Sequence, residues 1–279
     1  MASPGQNLDA AVVSDFGAEW SRFDQSGMSD AELRAAFDRY FAVFPWDRLP
    51  TDAAGFDLGC GSGRWASLAA PRVGALHCID AADAALNVAR EKLAGLDNVQ
   101  FHNASVDAIP LADGSMDFGY SLGVLHHVPD TQAGISSCTA KLKPGAPMLL
   151  YLYYALDGKP GLYRAIWKLS DAVRTGVATL PRPLKFAACQ LLAATVYWPL
   201  ARTAWLLEKL GAKVDNLPLS DYRHNSFYSM RTDALDRFGT RLEQRFTRVQ
   251  IEAMMTAAGL TDIRFHEGAP YWCAVGFKA

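Results

Sequence analysis

The feature that most constrains this chain is an alternation of short apolar segments with helical stretches, which begins at residue 54. Five apolar segments have the length and composition of buried strands, namely 54–59, 75–79, 99–102, 116–121 and 147–154. Helical periodicity occupies stretches between them, near 64–70, 83–95 and 131–142. Strands that alternate with helices form a parallel sheet that is covered on both faces. The pattern therefore predicts an α/β fold, a Rossmann-like doubly wound sheet.

The remaining segments divide the chain further. Residues 247–279 contain a helix that ends near Gly259 and two more strands, which brings the predicted sheet to about seven strands, mostly parallel. Residues 54–154 then form the α/β core, and residues 1–53 form an N-terminal helical segment. Residues 155–246 do not follow the alternation. We predict that they are a helical cap, inserted after the fifth strand.

The composition indicates a globular chain and argues against several classes of protein. Half of the 279 residues are hydrophobic, and the net charge of −2 argues against a dedicated nucleic-acid binder. The five cysteines are odd in number and widely spaced, so we expect neither a disulfide framework nor a metal site. The first residues lack the basic start and long apolar run of a signal peptide, which predicts a cytoplasmic location.

A glycine-rich loop, DLGCGSG at 57–63, follows the first predicted strand and opens a helix. Glycine allows positive φ and lets a ligand approach the backbone, and a helix N-terminus offers free N–H groups. Asp80 ends the second strand, where a carboxylate can accept both hydroxyls of a ribose. A nicotinamide dinucleotide site usually needs a third glycine, but Arg64 stands at that position. The combination predicts a ribose-containing cofactor, and it disfavours a nicotinamide-dependent oxidoreductase.

These residues belong to a wider resemblance. The chain resembles the class I S-adenosylmethionine-dependent methyltransferases, especially the small-molecule group that includes ubiquinone and menaquinone methyltransferases. The resemblance covers roughly 54–154 and 247–279. It is carried by FDLGCGSG (56–63), Asp80, SVDAIPLADGSMD (105–117), SLGVLHHV (121–128) and LKPGAPMLLYLYY (142–154). It implies that S-adenosyl-L-methionine is the cofactor and that 54–154 is the cofactor-binding core.

The resemblance also implies roles for individual residues. Asp57, Gly59 and Gly61 would border the methionine part of the cofactor, and Leu122 would lie near the same end. Asp80 would hold the ribose. The other implied cofactor-binding residues are Cys60, Gly63 and Ala81, together with Ser105 and Val106, which would flank the adenine. The family often has aspartate where Ser105 stands, so the hydrogen bond to the adenine amino group would lack a charge.

Three residues are candidates for catalysis. His127 follows the fourth strand and is the first choice for a general base, because histidine titrates near neutrality. Tyr153, at the end of the fifth strand, and Glu19 are the other two. Each has a structural alternative: a hydrogen-bonded histidine, a core tyrosine, and a residue of a helix that packs on the domain. For the segment 16–20 around Glu19 the functional alternative is a lid over the site.

The sequence therefore predicts methyl transfer from S-adenosylmethionine to a small-molecule acceptor that is apolar or anionic. The Asn/Asp-Pro-Pro-aromatic signature of nucleic-acid amino-group methylation is missing, since Ser121–Val124 follows the fourth strand. Two other functions remain open. One is a nicotinamide-dependent oxidoreductase, and the other is a catalytically silent cofactor-binding protein.

The insertion carries its own signal. Residues 155–246 contain 14 Lys+Arg against 8 Asp+Glu, and the run 186–201 is uncharged. This run of 16 residues is shorter than the roughly 20 that a membrane-spanning helix needs. A basic, apolar and tryptophan-containing segment favours peripheral membrane contact, which we place at 184–210. The alternative is a buried core helix. In either case we expect the cap to control access of the acceptor, because ligands bind at the carboxyl ends of the strands.

Overall fold

The chain forms two compact units in the computed structural model, which describes residues 7–156, 161–215 and 217–279. The first unit comprises the described residues of 1–24, 33–157 and 242–279. The second comprises those of 25–32 and 158–241. Residues 242–246, which the sequence assigns to the cap, therefore belong to the first unit, and residues 25–32 belong to the second.

The first unit is built on a seven-stranded sheet with the order β3-β2-β1-β4-β5-β7-β6. The strands are β1 (Ala54–Leu58), β2 (Ala75–Asp80), β3 (Val99–Asn103), β4 (Phe118–Leu122), β5 (Pro147–Tyr151), β6 (Leu260–Phe265) and β7 (Cys273–Lys278). β1 to β5 pair in parallel, whereas β7 pairs antiparallel with both β5 and β6. This arrangement confirms the predicted Rossmann-like α/β fold.

The helices flank the sheet in the first unit and form the second unit. They are α1 (Ala10–Arg22), α2 (Asp30–Tyr40), α3 (Ala66–Ala69), α4 (Asp83–Lys92), α5 (Thr131–Lys141), α6 (Gly161–Ala178), α7 (Arg182–Leu192), α8 (Trp198–Lys209), α9 (Phe227–Gly239) and α10 (Arg248–Ala257). A π-helical turn, Ala193–Tyr197, joins α7 to α8. A capping box begins α10, where the Thr247 and Gln250 side chains accept hydrogen bonds from each other's backbone N–H groups.

Side chains of successive strand residues alternate between two apolar clusters of the first unit. Phe56 and Met148 belong to one cluster, and Leu149 belongs to the other. The second cluster also contains Phe37 and Phe41, from the helical segment that precedes the sheet. Burial on both faces explains why the strand sequences are continuous apolar runs. The parallel pairing of β1 with β2 and β4 places the carboxyl ends of these strands along one edge of the sheet.

The fifth predicted strand is longer than the observed one. β5 ends at Tyr151, whereas the apolar run continues to Tyr154. Beyond β5, the Phe246 N–H donates to the Tyr153 carbonyl at 2.8 Å, and Tyr154 forms an isolated bridge with Phe246. The chain leaves the sheet here because a distant segment takes over its backbone hydrogen bonds.

The second unit is helical and has its own apolar core. Cys189, Ala193, Tyr197 and Ala201 lie along one face of the α7–α8 helix. They pack with Met230, Ala234 and Phe238, of which the first two are fully buried. The acidic side chain of Glu32 also belongs to this unit, where it accepts hydrogen bonds from Ser229 Oγ at 2.6 Å and from the Ser226 N–H at 2.9 Å. That this unit caps a site on the first unit stays a prediction.

Candidate functional site

The glycine loop follows β1 and packs tightly on both sides. The N–H groups of Gly59 and Cys60 donate to the Ile79 carbonyl at 2.7 and 3.1 Å, which ties the loop to the end of β2. Gly59 has a φ of +75°, and a Cβ there would lie 2.3 Å from a Val124 methyl carbon. Both the backbone conformation and the close approach therefore require glycine at this position.

Asp80 connects the loop to the end of β2. Its Oδ2 accepts from the Gly61 N–H at 2.9 Å, and its Oδ1 accepts from the Ala82 N–H at 2.8 Å. Burial raises the pKa of this carboxyl, while the two backbone hydrogen bonds lower it. Because a carboxylate oxygen can accept more than one hydrogen bond, both oxygens remain able to bind a ligand hydroxyl.

A cavity of about 120 Å³ opens beside Asp80. The loops that follow the first four strands form part of its wall, and α1 with the residues just before it forms another part. The residues that line it are Asn7, Leu8, Asp9, Val12, Val13, Phe16, Trp20, Leu58, Gly59, Asp80, Ala81, Ala82, Ala104, Val106, Leu122, Gly123, Val124, His127 and Val128. All of them belong to the first unit. Its position, at the carboxyl ends of the strands, is the usual ligand site of open α/β sheets.

The structure brings half of the implied cofactor residues to this cavity. Gly59, Asp80, Ala81, Val106 and Leu122 line it. The others lie close to it in the chain but are outside its lining, namely Asp57, Cys60, Gly61, Gly63 and Ser105. Four of these five are within two residues of a lining residue. The fifth, Gly63, faces Ala89 and Leu93 at the end of α4.

Gly61 lies under Trp20 of α1. A Cβ at Gly61 would be 3.0 Å from the Trp20 indole nitrogen, and its φ is +53°. The indole therefore contacts the loop at the position that the resemblance assigns to the methionine part of the cofactor. Trp20 also lines the cavity, so α1 and the glycine loop meet at one end of it.

Asp57 is a buried carboxyl behind the loop. Its pKa is raised to about 8, mainly by burial; the nearby Asp80 also raises the pKa, whereas the Tyr120 hydroxyl and Arg64 lower it. A ligand that carries positive charge near this end of the cavity would stabilise the ionised form of both carboxyls.

His127 lines the cavity and has a defined tautomer. Its Nδ1 lies 2.6 Å from the Leu242 carbonyl oxygen. A carbonyl can only accept, so in the neutral ring we assign the proton to Nδ1, and Nε2 is then the basic nitrogen. The ring packs 5.1 Å from Phe16 and 5.6 Å from Tyr153, measured between centroids. That His127 acts as a general base stays a prediction.

The neighbouring His126 has a different environment. Its ring stacks on Tyr153 with centroids 3.8 Å apart, and the residue is fully buried. Burial holds the pKa of His126 well below its ordinary value, and His127 and Arg245 lower it further. His126 is therefore neutral across the physiological range and packs as an aromatic residue.

The other two catalytic candidates lie outside the cavity lining. Tyr153 lies between the His126 ring and the Arg245 guanidinium, whose carbon is 5.1 Å from the tyrosine centroid. Arg245 forms an ion pair with Glu243 at 2.7 Å. Glu19 is buried within α1. Their catalytic roles stay predictions, and the Tyr153 ring packs edge-on against the ring of His127.

The start of α1 is the part of the site that the sequence reasoning missed. Asn7, Leu8, Asp9, Val12 and Val13 all line the cavity. Asp9 caps the helix by accepting from the N–H groups of Ala11 and Val12. The signal was the capping aspartate followed by apolar or aromatic residues at positions 12, 16 and 20, which lie on one helical face.

Asn7 fixes this segment to the loop after β4. Its side-chain amide donates to the Asp130 carbonyl at 2.7 Å, and its amide oxygen accepts from the Asp130 N–H at 2.8 Å. Asp130 is itself the N-cap of α5. The Asn7 side chain thus links the start of α1 to the start of α5. Among the residues that the structure describes, no group of three or more His, Cys, Asp or Glu could hold a metal ion.

Part of the chain is similar to known methyltransferases. Residues 56–145 match a family model described as "Methyltransferase domain". An uncharacterised methyltransferase of Mycobacterium bovis is 25% identical over 122 residues, which are 44% of this chain and 59% of the relative. The Ubiquinone biosynthesis O-methyltransferase of Marinobacter nauticus is 34% identical over 100 residues, which are 34% of this chain and 41% of the relative. The chain thus spans less than two thirds of the length of these relatives.

A likeness of the whole fold accompanies these matches. A chain of the solved complex of the Haloferax volcanii Trm112 methyltransferase activator superposes with a TM-score of 0.51. The alignment covers 94% of this chain and 96% of that one, at 15% identity. The sheet order, the glycine loop with Asp80 and the matched domain together identify a class I S-adenosylmethionine-dependent methyltransferase domain within this chain. S-adenosylmethionine is its cofactor.

The residues at the cavity fit this cofactor. Asp80 offers a carboxylate at the edge of the cavity for ribose hydroxyls, and the neighbouring Ala81 and Val106 offer apolar walls suited to an adenine ring. Gly61 leaves its backbone uncovered by a Cβ. The acidic pair of Asp57 and Asp80 complements the positive charges of the sulfonium and ammonium groups.

Proposed function

We propose that this chain transfers a methyl group from S-adenosylmethionine to an oxygen atom of a small-molecule acceptor that is apolar or anionic. The observation that carries the proposal is one cavity that joins Asp80, the ribose ligand of the family, to His127, a base with its tautomer set by Leu242. The printed name of the Marinobacter nauticus relative, an O-methyltransferase, supports oxygen as the methylated atom.

The bound cofactor supplies an electrophilic methyl group, and the protein supplies orientation, a dry site and a proton acceptor. Asp80 and the Gly59–Gly61 backbone would bind the cofactor and fix its position. Phe16 and Trp20 of α1 line the cavity and would exclude water from it. Holding acceptor and methyl group in line is itself a large part of the rate enhancement.

His127 would take the proton that a hydroxyl acceptor loses. With Nδ1 donating to the Leu242 carbonyl, the imidazolium that forms remains hydrogen bonded at Nδ1. Tyr153 packs against the His127 ring and would restrict its rotation. His126 does not compete for the proton, because burial lowers its pKa.

The proposal can be tested by incubating the protein with methyl-labelled S-adenosylmethionine and a cell extract. We expect label in small organic molecules and not in nucleic acid. Asp80→Ala should abolish the transfer, whereas Asp83→Ala, an exposed carboxylate at the start of α4, should leave it intact. Label in nucleic acid would overturn the acceptor class.

The same experiment separates the two alternatives. A catalytically silent protein would bind the cofactor, with loss of binding in Asp80→Ala, but would transfer no label to any fraction of the extract. A nicotinamide-dependent oxidoreductase would bind NAD in preference to S-adenosylmethionine. Arg64 stands where that class of enzyme needs a third glycine for close packing of the dinucleotide-binding loop. The hydrogen bonds of Asp80 do not replace that glycine.

A further inference from the structure

The second unit contains an unusually long and apolar helix. α7, the π-helical turn and α8 form a continuous helix of 28 residues, Arg182–Lys209. Among the described residues, it is the one helix that is long and apolar enough to cross a membrane, judged by length and composition. Its two faces have to be considered separately, because one of them is already used by the protein.

The inner face packs in the core of the second unit. Cys189, Ala193, Tyr197 and Ala201 are buried at intervals of four residues, and their partners include Met230 and Phe238 of α9. A bilayer-spanning orientation would either remove these contacts or place the charged residues of α9 in hydrocarbon. The helix therefore does not span a membrane in this fold.

The outer face is exposed and uncharged. We define it by the exposed residues of α7 and α8 from Leu184 to Leu206, of which Leu191 has 63% and Leu206 has 53% of its surface accessible. Every one of these exposed residues is uncharged, namely Leu184, Ala187, Leu191, Ala194, Thr195, Val196, Trp198, Pro199, Leu200, Thr203 and Leu206. A helix face on the surface of a soluble protein is normally polar. An apolar stripe about 33 Å long is the kind of exposed surface that marks an interaction site.

α6 repeats this pattern in the same unit. Ile166, Leu169 and Val173 are exposed at helical spacing along it, and Lys168 is exposed beside them. α6 is connected to α7 by only three residues and packs against it. The exposed apolar surface of the second unit is therefore not confined to one helix.

The charges around the outer face are basic. Arg182 and Lys209 mark the two ends of the helix. The Arg202 guanidinium lies 4.1 Å from the Trp198 ring centroid, and the Lys209 ammonium lies 3.8 Å from that of Trp205. Glu208, the acidic residue of this helix, is engaged in ion pairs with Arg223 and His224. Cations next to tryptophans at the border of an apolar face are typical of helices that lie in the membrane interface.

We propose that the outer face binds an anionic lipid bilayer, with the α7–α8 helix parallel to the membrane plane. Anionic headgroups would neutralise Arg182 and Lys209, and the leucines would enter the acyl boundary. A second copy of the chain fits less well. A symmetric pair of antiparallel helices would place the Arg182 end of one copy against the Lys209 end of the other, with no exposed acidic residue on the face to compensate.

The test is co-sedimentation of the purified protein with vesicles of phosphatidylcholine alone and of phosphatidylcholine mixed with phosphatidylglycerol. Binding should need phosphatidylglycerol and should weaken at high salt, because surface charges are screened. Leu191→Glu should reduce the partition coefficient by about tenfold or more. Val249→Glu is the matched control, since Val249 is equally exposed but lies on α10 of the first unit, and it should bind as the wild type does.

Two further measurements keep the outcome unambiguous. Quenching of tryptophan fluorescence by brominated lipid should occur in the wild type and should decrease in Trp198→Phe. In sedimentation velocity without lipid, we expect no dimer of the wild type that is lost in Leu191→Glu. Absence of binding to both vesicle types, or a dimer that depends on Leu191, would overturn the proposal. No cofactor or acceptor is present in these experiments, so they do not depend on the proposed methyl transfer.

Discussion

Gly61 and Gly114 have similar backbone conformations, with φ of +53° and +65°, but different surroundings. A Cβ at Gly61 would lie 3.0 Å from Trp20, whereas nothing lies within 4 Å of one at Gly114. An alanine should therefore cost about 1 kcal/mol of stability at both positions because of backbone strain. Only Gly61→Ala should also reduce the affinity for S-adenosylmethionine, by roughly tenfold or more. Calorimetric titration of both variants measures the difference, and an equal loss in both would contradict the site.

Asp57 should make the stability of the protein depend on pH. Burial raises its pKa to about 8 from an ordinary value near 3.8, so the folded protein keeps a proton that the unfolded chain releases. This contribution to the free energy of unfolding is present in full below pH 3.8 and is lost as the pH rises through about 8. Asp57→Asn should remove that decrease. Urea unfolding of both proteins between these pH values tests it, and identical slopes would show that Asp57 is ionised in the fold.

His127 should affect turnover more than binding. If it accepts the proton of the acceptor, His127→Ala should lower the rate of label transfer by roughly 10²–10⁴ and leave the affinity for S-adenosylmethionine nearly unchanged. Near-normal turnover of His127→Ala across the pH range would exclude the base role.

At the scale of secondary structure, the packing of α1 should control the cavity. Gly17 faces α4, and a Cβ there would lie 3.5 Å from the side chains of Ala82 and Ala84. Gly17→Val adds two methyl groups beyond that contact, which should displace α1 and with it Phe16 and Trp20. We expect a several-fold loss of cofactor affinity, measured by calorimetry. Ala18→Val introduces the same side chain on the exposed side of the helix and should bind normally. Equal affinities would show that α1 does not shape the site.

The elements that could be predicted from the sequence are those in which burial produces a clear pattern of apolar residues. β1, β4 and β5 were recognisable because they are covered on both faces, and the loop after β1 was recognisable because its glycines need positive φ. Elements defined by distant contacts were not. The ends of β5 and of the cap were misplaced because Phe246 pairs with Tyr153, a contact that no local pattern contains.

The same distinction applies to the site as a whole. Asp80 could be placed beside the loop from sequence, because parallel strands bring their carboxyl ends to one edge. The wall formed by α1 could not, since an amphipathic helix shows that one face is buried but does not show against which partner. The tautomer of His127 depends on Leu242, 115 residues away in the chain. Site residues held by sequence-distant backbone groups are therefore the ones that need a structure.

At the scale of the whole molecule, the cofactor should stabilise one unit and not the other. All residues that line the cavity belong to the first unit. The second unit has a separate apolar core, which includes Cys189, Tyr197 and Met230. At a concentration of about 100 times Kd, a ligand of the folded first unit stabilises it by about 2.7 kcal/mol. Amides of β1, β2 and β4 that exchange only by unfolding of that unit should then exchange about 100-fold more slowly.

Hydrogen exchange with and without S-adenosylhomocysteine, the product form of the cofactor, measures this effect element by element. Amides of α7 and α9 should exchange at unchanged rates, because their hydrogen bonds open with the second unit. Asp80→Ala, at the same ligand concentration, should lose the protection of β1, β2 and β4 and serves as the control. Equal protection of α7 and α9 would mean that the two units unfold in one cooperative step. Absence of protection in the wild-type sheet would instead place the cofactor elsewhere, because binding at this cavity must slow every opening that destroys it.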